Sequence, residues 1–135
     1  MSTYPLSPIQ AALYGALTGD DALMAVVEGV YDHVPQNAAF PYIVFEESAV
    51  EPWGLLHESA HMCQLQLDIY SRKGGQKQVM QAAALVRDVL HHTPLVASGW
   101  AVALVDVSGA NTDRQNDGLT SKANMQVRVW AREVL

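Results

Sequence analysis

The chain has 135 residues, half of them apolar, and a formal net charge of −6. That fits a single domain spanning 1–135 with ample material for a core; no apolar run approaches the ~20 residues of a membrane helix, so no membrane association is expected, and Met1-Ser-Thr-Tyr-Pro lacks the basic-then-apolar layout of a secretion signal. A lone Cys63 excludes an internal disulfide, and an acidic chain is poorly suited to gripping a nucleic acid backbone, which takes clustered Lys and Arg.

In chain order, Ser7-Pro8-Ile9-Gln10 reads as a helix start: Ser7 caps, Pro8 suits the first position, Gln10 completes a capping box. Ile9, Ala12, Leu13 and Ala16 form its apolar stripe and Gly19 ends it. Asp20-Asp21 caps a short second helix carrying Leu23, Met24 and Val27. Val30 to Pro35 is extended, and Phe40 must be too, because it precedes Pro41. Tyr42 to Ser48 reads as a strand. Ala49 to Ala60, with Pro52, Trp53 and Gly54, reads as a long loop.

From His61 the pattern sharpens. Cys63, Leu65, Leu67 and Ile69 alternate with Gln64, Gln66 and Asp68, a strand with one buried face. Gly74-Gly75 turns the chain. Val79, Ala82, Ala83, Val86 and Leu90 then recur three and four apart, one stripe of a helix, with His91-His92 in its last turn and Thr93-Pro94 as the stop. Trp100 to Val107 is a near-continuous apolar strand, and Gly109 to Leu119 reads as a second long polar loop. In the last strand Ala123, Met125, Val127, Val129 and Ala131 face in, while Lys122, Asn124, Gln126, Arg128, Trp130 and Arg132 face out. The fold class is α+β: a mixed, largely antiparallel sheet with helices packed on one face. Its inward face is expected to hold Leu65, Leu67, Ile69, Met125, Val127 and Val129 against Val79, Ala83, Val86 and Leu90.

Charge is unevenly placed. Residues 1–71 hold nine acids and no Lys or Arg, residues 72–135 hold all eight basic residues and five acids, so the halves carry −9 and +3. An acidic and a basic surface would let like copies meet head to tail; a fold that interleaves the halves would cancel the asymmetry. Candidate contact residues are Arg128, Trp130 and Arg132 on the outward face of the last strand, and Glu51, Trp53 and Glu58 from the acidic half. A tryptophan among arginines on a polar face suits an interface, with the alternative that Trp53 and Trp130 fold back on their own subunit.

Catalytic motifs are absent: no Gly-x-Ser-x-Gly elbow, no phosphate loop, no Gly-x-Gly-x-x-Gly after a strand. Glu46 and Glu47 are adjacent on a strand and face opposite sides. Asp106, set among apolar residues, is a weak candidate for a raised pKa. His57, His61 and Cys63 run from loop into strand and lack ligand geometry, and His91 and His92 point different ways on a helix, so neither a specific metal site nor duplex-DNA binding is expected. Cys63, on an apolar face, reads as a buried inert thiol.

Two stretches carry a resemblance. Val30-Tyr-Asp-His-Val-Pro-Gln-Asn-Ala-Ala-Phe-Pro-Tyr-Ile-Val-Phe and Leu67-Asp-Ile-Tyr-Ser-Arg-Lys-Gly-Gly, with the opening helix and the closing Arg-Val-Trp strand, resemble the tail terminator (tail completion) proteins of long-tailed bacteriophages and phage-like gene transfer agents, over roughly residues 8–132. The resemblance implies a structural virion protein with no catalysis and no cofactor. It implies a hexameric ring that caps the head-proximal end of the tail tube, ends its growth and meets the head–tail connector or stopper, with DNA passing through the channel. It makes Pro35, Pro41 and Tyr42 shapers of the lead-in to a strand, and Ser71, Gly74 and Gly75 shapers of a turn. The alternatives are another connector or stopper protein of the neck, or a small metal- or ligand-binding enzyme domain built on the histidines and Asp106.

Overall fold

The computed structural model describes residues 5–54, 60–72 and 76–134. Helix α1 (Leu6–Thr18) and the single-turn α2 (Asp21–Met24) precede β1 (Gly29–Tyr31), β2 (Tyr42–Pro52) and β3 (Ala60–Ser71); α3 (Lys77–Leu90) follows, then β4 (Val96–Ala97), β5 (Trp100–Arg114) and β6 (Ser121–Glu133). The six strands form one sheet in the order β1-β2-β3-β6-β5-β4. Among the described strands β1 and β2 run parallel and the other neighbours are antiparallel. No described helix is long and apolar enough to cross a membrane.

Period-two patterning sets the centre. β3 and β6 pair over twelve residues, from Ala60 with Arg132 to Ser71 with Ser121. Their inward positions Cys63, Leu65, Leu67, Ile69, Ala123, Met125, Val127, Val129 and Ala131 are all buried. The stripe Val79, Ala82, Ala83, Val86 and Leu90 is buried to the last residue, and α3 packs across β3, β6 and β5 while α1 packs beside α3, β1, β2 and β4. The inward face expected from the sequence is therefore the one observed, and Cys63 lies inert within it, its thiol pushed up to about 11 by burial.

Several boundaries differ from expectation. Ser7 does not cap α1: the helix starts at Leu6, with Pro5 in the cap position and no side-chain cap. Pro8 is tolerated because first-turn N–H groups have no intrahelical acceptor, and Gln10 instead donates to Asp32 Oδ1 at 3.0 Å. Leu17, outside the expected stripe, is fully buried. Asp20 does cap α2, accepting from Leu23 N at 2.9 Å.

Both expected long loops are shortened by strand at their ends. Ala49–Pro52 continues β2 and Ala60 opens β3, leaving 53–59 between them, of which 55–59, including His57 and Glu58, lie outside the described residues. Likewise 109–114 continues β5 and only 115–120 turns. Polarity there signals an exposed sheet extension. Pro52 ends its strand at an outer edge, where a missing N–H is tolerated, and Gly109, at φ 67°, takes up a bulge between Ser108 and Ala110. The Gly74-Gly75 turn also lies outside the described residues.

Candidate functional site

With helices on one side, the opposite face of the sheet carries no helix among the described residues, and the register sorts it into cross-strand rows. At one end Tyr42, Tyr70, Lys122 and Asp113 align; next come Val44, Asp68, Asn124 and Asn111. Asp68 is only 2 % exposed and sits 3.4 Å from Lys122 Nζ. Burial pulls the Lys122 ammonium down, but Asp68, Tyr70 and Glu46 outweigh it and hold the group above the usual lysine value. Burial, then Asp68, raises Glu46. Arg72 links three segments here: it lies 4.4 Å over the Phe40 ring, its Nε donates to Thr120 Oγ1 at 3.0 Å, and it approaches Asp117 at 3.7 Å. Asp117 also accepts from Leu119 N, Thr120 N and Thr120 Oγ1, bonds that hold its carboxyl down at about 2.

The middle is a belt of neutral amides. Gln64 Nε2 donates to Gln126 Oε1 at 3.2 Å, Gln126 Nε2 to Asn124 Oδ1 at 3.3 Å, and Gln66 Nε2 to Asp68. Beyond it Ala49, Gln64, Arg128 and Asp106 align, and then Glu51, Met62, Trp130 and Leu104. Trp53, 40 % exposed, donates its backbone N–H to Ala60 at 2.9 Å, beside Arg132 on the next strand. Leu104 is 42 % exposed. Glu51 and Arg132 are exposed, and Arg128 and Trp130 are half-buried. Five of the six expected contact residues thus share one end of one face, in an apolar patch of Trp53, Met62, Trp130 and Leu104 ringed by charge, an arrangement typical of contact surfaces. They do not form two separate surfaces: Glu51 and Trp130 flank the same Met62. Met62 was readable from the alternation of β3. Leu104 was not, because a bulge between Val102 and Leu104 re-aims it.

A second cluster departs from expectation. His91 and His92 do not occupy the last turn of α3 and do not point apart. The helix ends at Leu90, His91 is extended, and His92 has φ 58°, which stacks the two rings with centroids 3.8 Å apart. His92 N donates to Val105 O at 2.8 Å, Val107 N donates to His91 Nδ1 at 3.0 Å, and Asp106 lies 3.8 Å from the same nitrogen. His91, His92 and Asp106 offer donor atoms within 4.8 Å of one another. Nδ1 of His91 already accepts from the backbone, so a cation there would have to displace the bond that fastens the helix end to β5. Among the described residues His61 and Cys63 belong to no such group, and His61 packs edge-on against Trp100 at 5.7 Å; His57 lies outside the described residues.

The comparisons fit this architecture. The family described as tail completion protein gp17 matches residues 11–132. The chain belongs to that family. This makes the tail completion protein a structural component of a phage-type virion and not an enzyme. A chain from a structure titled "Virion of native gene transfer agent (GTA) particle" is 22 % identical, with a TM-score of 0.88, covering 97 % of this chain and 99 % of that one. The "Structure of bacteriophage SPP1 gp17 protein" is 17 % identical, with a TM-score of 0.64, covering 100 % and 96 %. No curated relative matches in sequence. The structural likenesses establish the same mixed sheet with helices.

Proposed function

We propose that this tail completion protein acts as a tail terminator: six copies form a ring at the head-proximal end of the tail tube of a phage or gene transfer agent, cap the tube, end its elongation and present the surface that joins the head–tail connector. DNA crosses the ring as passing cargo. Assembly takes place in the bacterial cytoplasm, and the finished protein resides in the particle.

The observation that carries this reading is the bare sheet face with its tryptophan patch. An apolar patch rimmed by Glu51, Arg128 and Arg132 suits a contact in which tryptophans anchor and charges orient. Identical copies in a closed ring satisfy every such contact. The neutral amide belt and the net charge of −6 suit a channel through which a polyanion must slide without being held. Trp130→Ala combined with Arg128→Glu tests the reading. The variant is expected to keep its far-ultraviolet circular dichroism yet leave tubes of uncontrolled length or tailless heads. Normal tails joined to heads would place the contact surface elsewhere.

A further inference from the structure

The sheet leaves two runs of strand edge uncovered, at diagonally opposite corners. β1 covers β2 only at Tyr42–Val44, so among the described residues β2 is outermost from Glu46 to Pro52. On the other side β4 covers β5 only at Trp100 and Ala101. His91 and His92 close the edge at Val105 and Val107. From Ser108 to Arg114, β5 is outermost among the described residues. An uncovered edge is a template for another strand. Both runs carry a register shift, at Phe45/Ser48 and at Ser108/Ala110, the kind of irregularity that discourages indiscriminate pairing.

We propose that the open edge of β5 at 108–114 receives the open edge of β2 at 46–52 from a second copy, so that the sheets of neighbouring subunits run on into one another; this rests on the ring reading above.

Three features point to that occupant. The β2 run carries Glu46, Glu47 and Glu51 and no base, whereas the β5 run is balanced, Asp113 beside Arg114, with Arg87 of α3 at its groove. Beside the β5 edge lies a groove of about 510 Å³ lined by Met80, Ala83, Ala84, Arg87, Val107 and Ala110, with Met80 51 % exposed. A strand added at an edge drops alternate side chains into such a groove. Val50, on the helix side of β2 opposite Cys63, packs against its own core yet stays half-buried, and its open side is the apolar surface that the incoming run would supply.

The third feature is geometric. The middle of one run, Ala49, lies in the Gln64 row, and the middle of the other, Asn111, lies in the Asp68 row, so the openings are offset by four residues along β3. At about 3.3 Å per residue that is roughly 13 Å of stagger, against roughly 19 Å for the four strand spacings each copy would add. The ratio implies strands tilted by about 35° to the ring axis, at the edge of the ~35–45° that closed barrels adopt. With helices on the other side, the amide belt would line the bore.

Disulfide trapping tests this. Within one subunit Ala49 and Asn111 are three strand spacings apart, roughly 14 Å before the offset is added, beyond the ~7 Å Cα limit of a disulfide. Any bond between them is therefore intermolecular. Ala49→Cys is combined with Ser108→Cys, Asn111→Cys or Asp113→Cys, the β5 positions that share its face of the sheet, to allow for register. Buried Cys63 serves as the silent control. Assembled rings, sized by light scattering as multiples of 14.7 kDa, are oxidised and run without reductant. A ladder from at least one pair, absent from the single variants, is the expected result. Rings of unchanged mass with no ladder from any pair would overturn the edge joining and leave the ring standing. No ring in the presence of tube and connector would overturn both.

Discussion

The Asp68–Lys122 pair gives a sharp test of how the bare face is held together. Asp68 is 2 % exposed and its partner's side chain 27 %, so the cost of breaking the pair is asymmetric. Without Lys122, a buried carboxylate keeps Gln66 Nε2, at 3.2 and 3.4 Å from its two oxygens, and faces Glu46. Without the Asp68 charge, Lys122 swings into water. Orphaning one member of a buried pair costs about 3–5 kcal/mol; with Lys122 partly solvated, about 2–3 kcal/mol is expected for Lys122→Met and about 1 for Asp68→Asn. At about 2.1 cal/mol/K per residue, 135 residues give roughly 0.3 kcal/mol/K, so Lys122→Met lowers Tm by roughly 7–10 °C. The double variant should be more stable than Lys122→Met alone, since the orphaned charge is gone. Urea and thermal unfolding of the four proteins measure the cycle. If Asp68→Asn cost as much as Lys122→Met, or if the double variant were the least stable, the desolvation reasoning would be refuted.

Leu67→Ala, at a fully buried position on the central strand, should cost about 2–5 kcal/mol by urea unfolding. Gly109→Val should cost about 1–2 kcal/mol, because a side chain is forced to φ 67°, whereas Asn111→Val beside it should be nearly neutral. His91 gives a pH dependence. Burial, then Arg87 and His92, hold it below the ordinary histidine value against the opposing pull of Asp106. The unfolded chain therefore takes the proton first. The contribution of His91 is whole above the unfolded value of about 6.5 and falls as pH drops from there toward the folded value. His91→Asn, whose carbonyl oxygen accepts from Val107 N–H without titrating, should lose that part of the slope in urea midpoints measured between pH 7.5 and 5.

What was legible in the sequence is what periodicity encodes. The alternation of Cys63 to Ile69 and of Ala123 to Ala131, and the stripe from Val79 to Leu90, fixed the core because each pattern has a single period and a single buried face. Three register shifts and two edge extensions escaped; the strand that continues β5 through Asn111, Thr112 and Asp113, for one, has exposed polar side chains and so reads as loop. The tryptophan patch was half legible. Trp130 and Arg128 stood out on β6, but their meeting with Glu51 depends on β2 extending to Pro52, which pairing with β3 decides and local composition does not. The stacked histidines were hidden by two residues of helix length.

The twelve-residue ladder between β3 and β6 also has a mechanical meaning. A pull along the strand axis loads all of its rungs in shear at once, so they share the force and fail together at high load. A pull across the sheet peels rungs one at a time, and at the borders there are few to peel: three between β1 and β2, two between β4 and β5. The subunit is therefore stiff in one direction and compliant in the other. A particle that stands its strands near the direction of an axial load would place that load on the stiff axis and leave the compliant borders free to accommodate a neighbour.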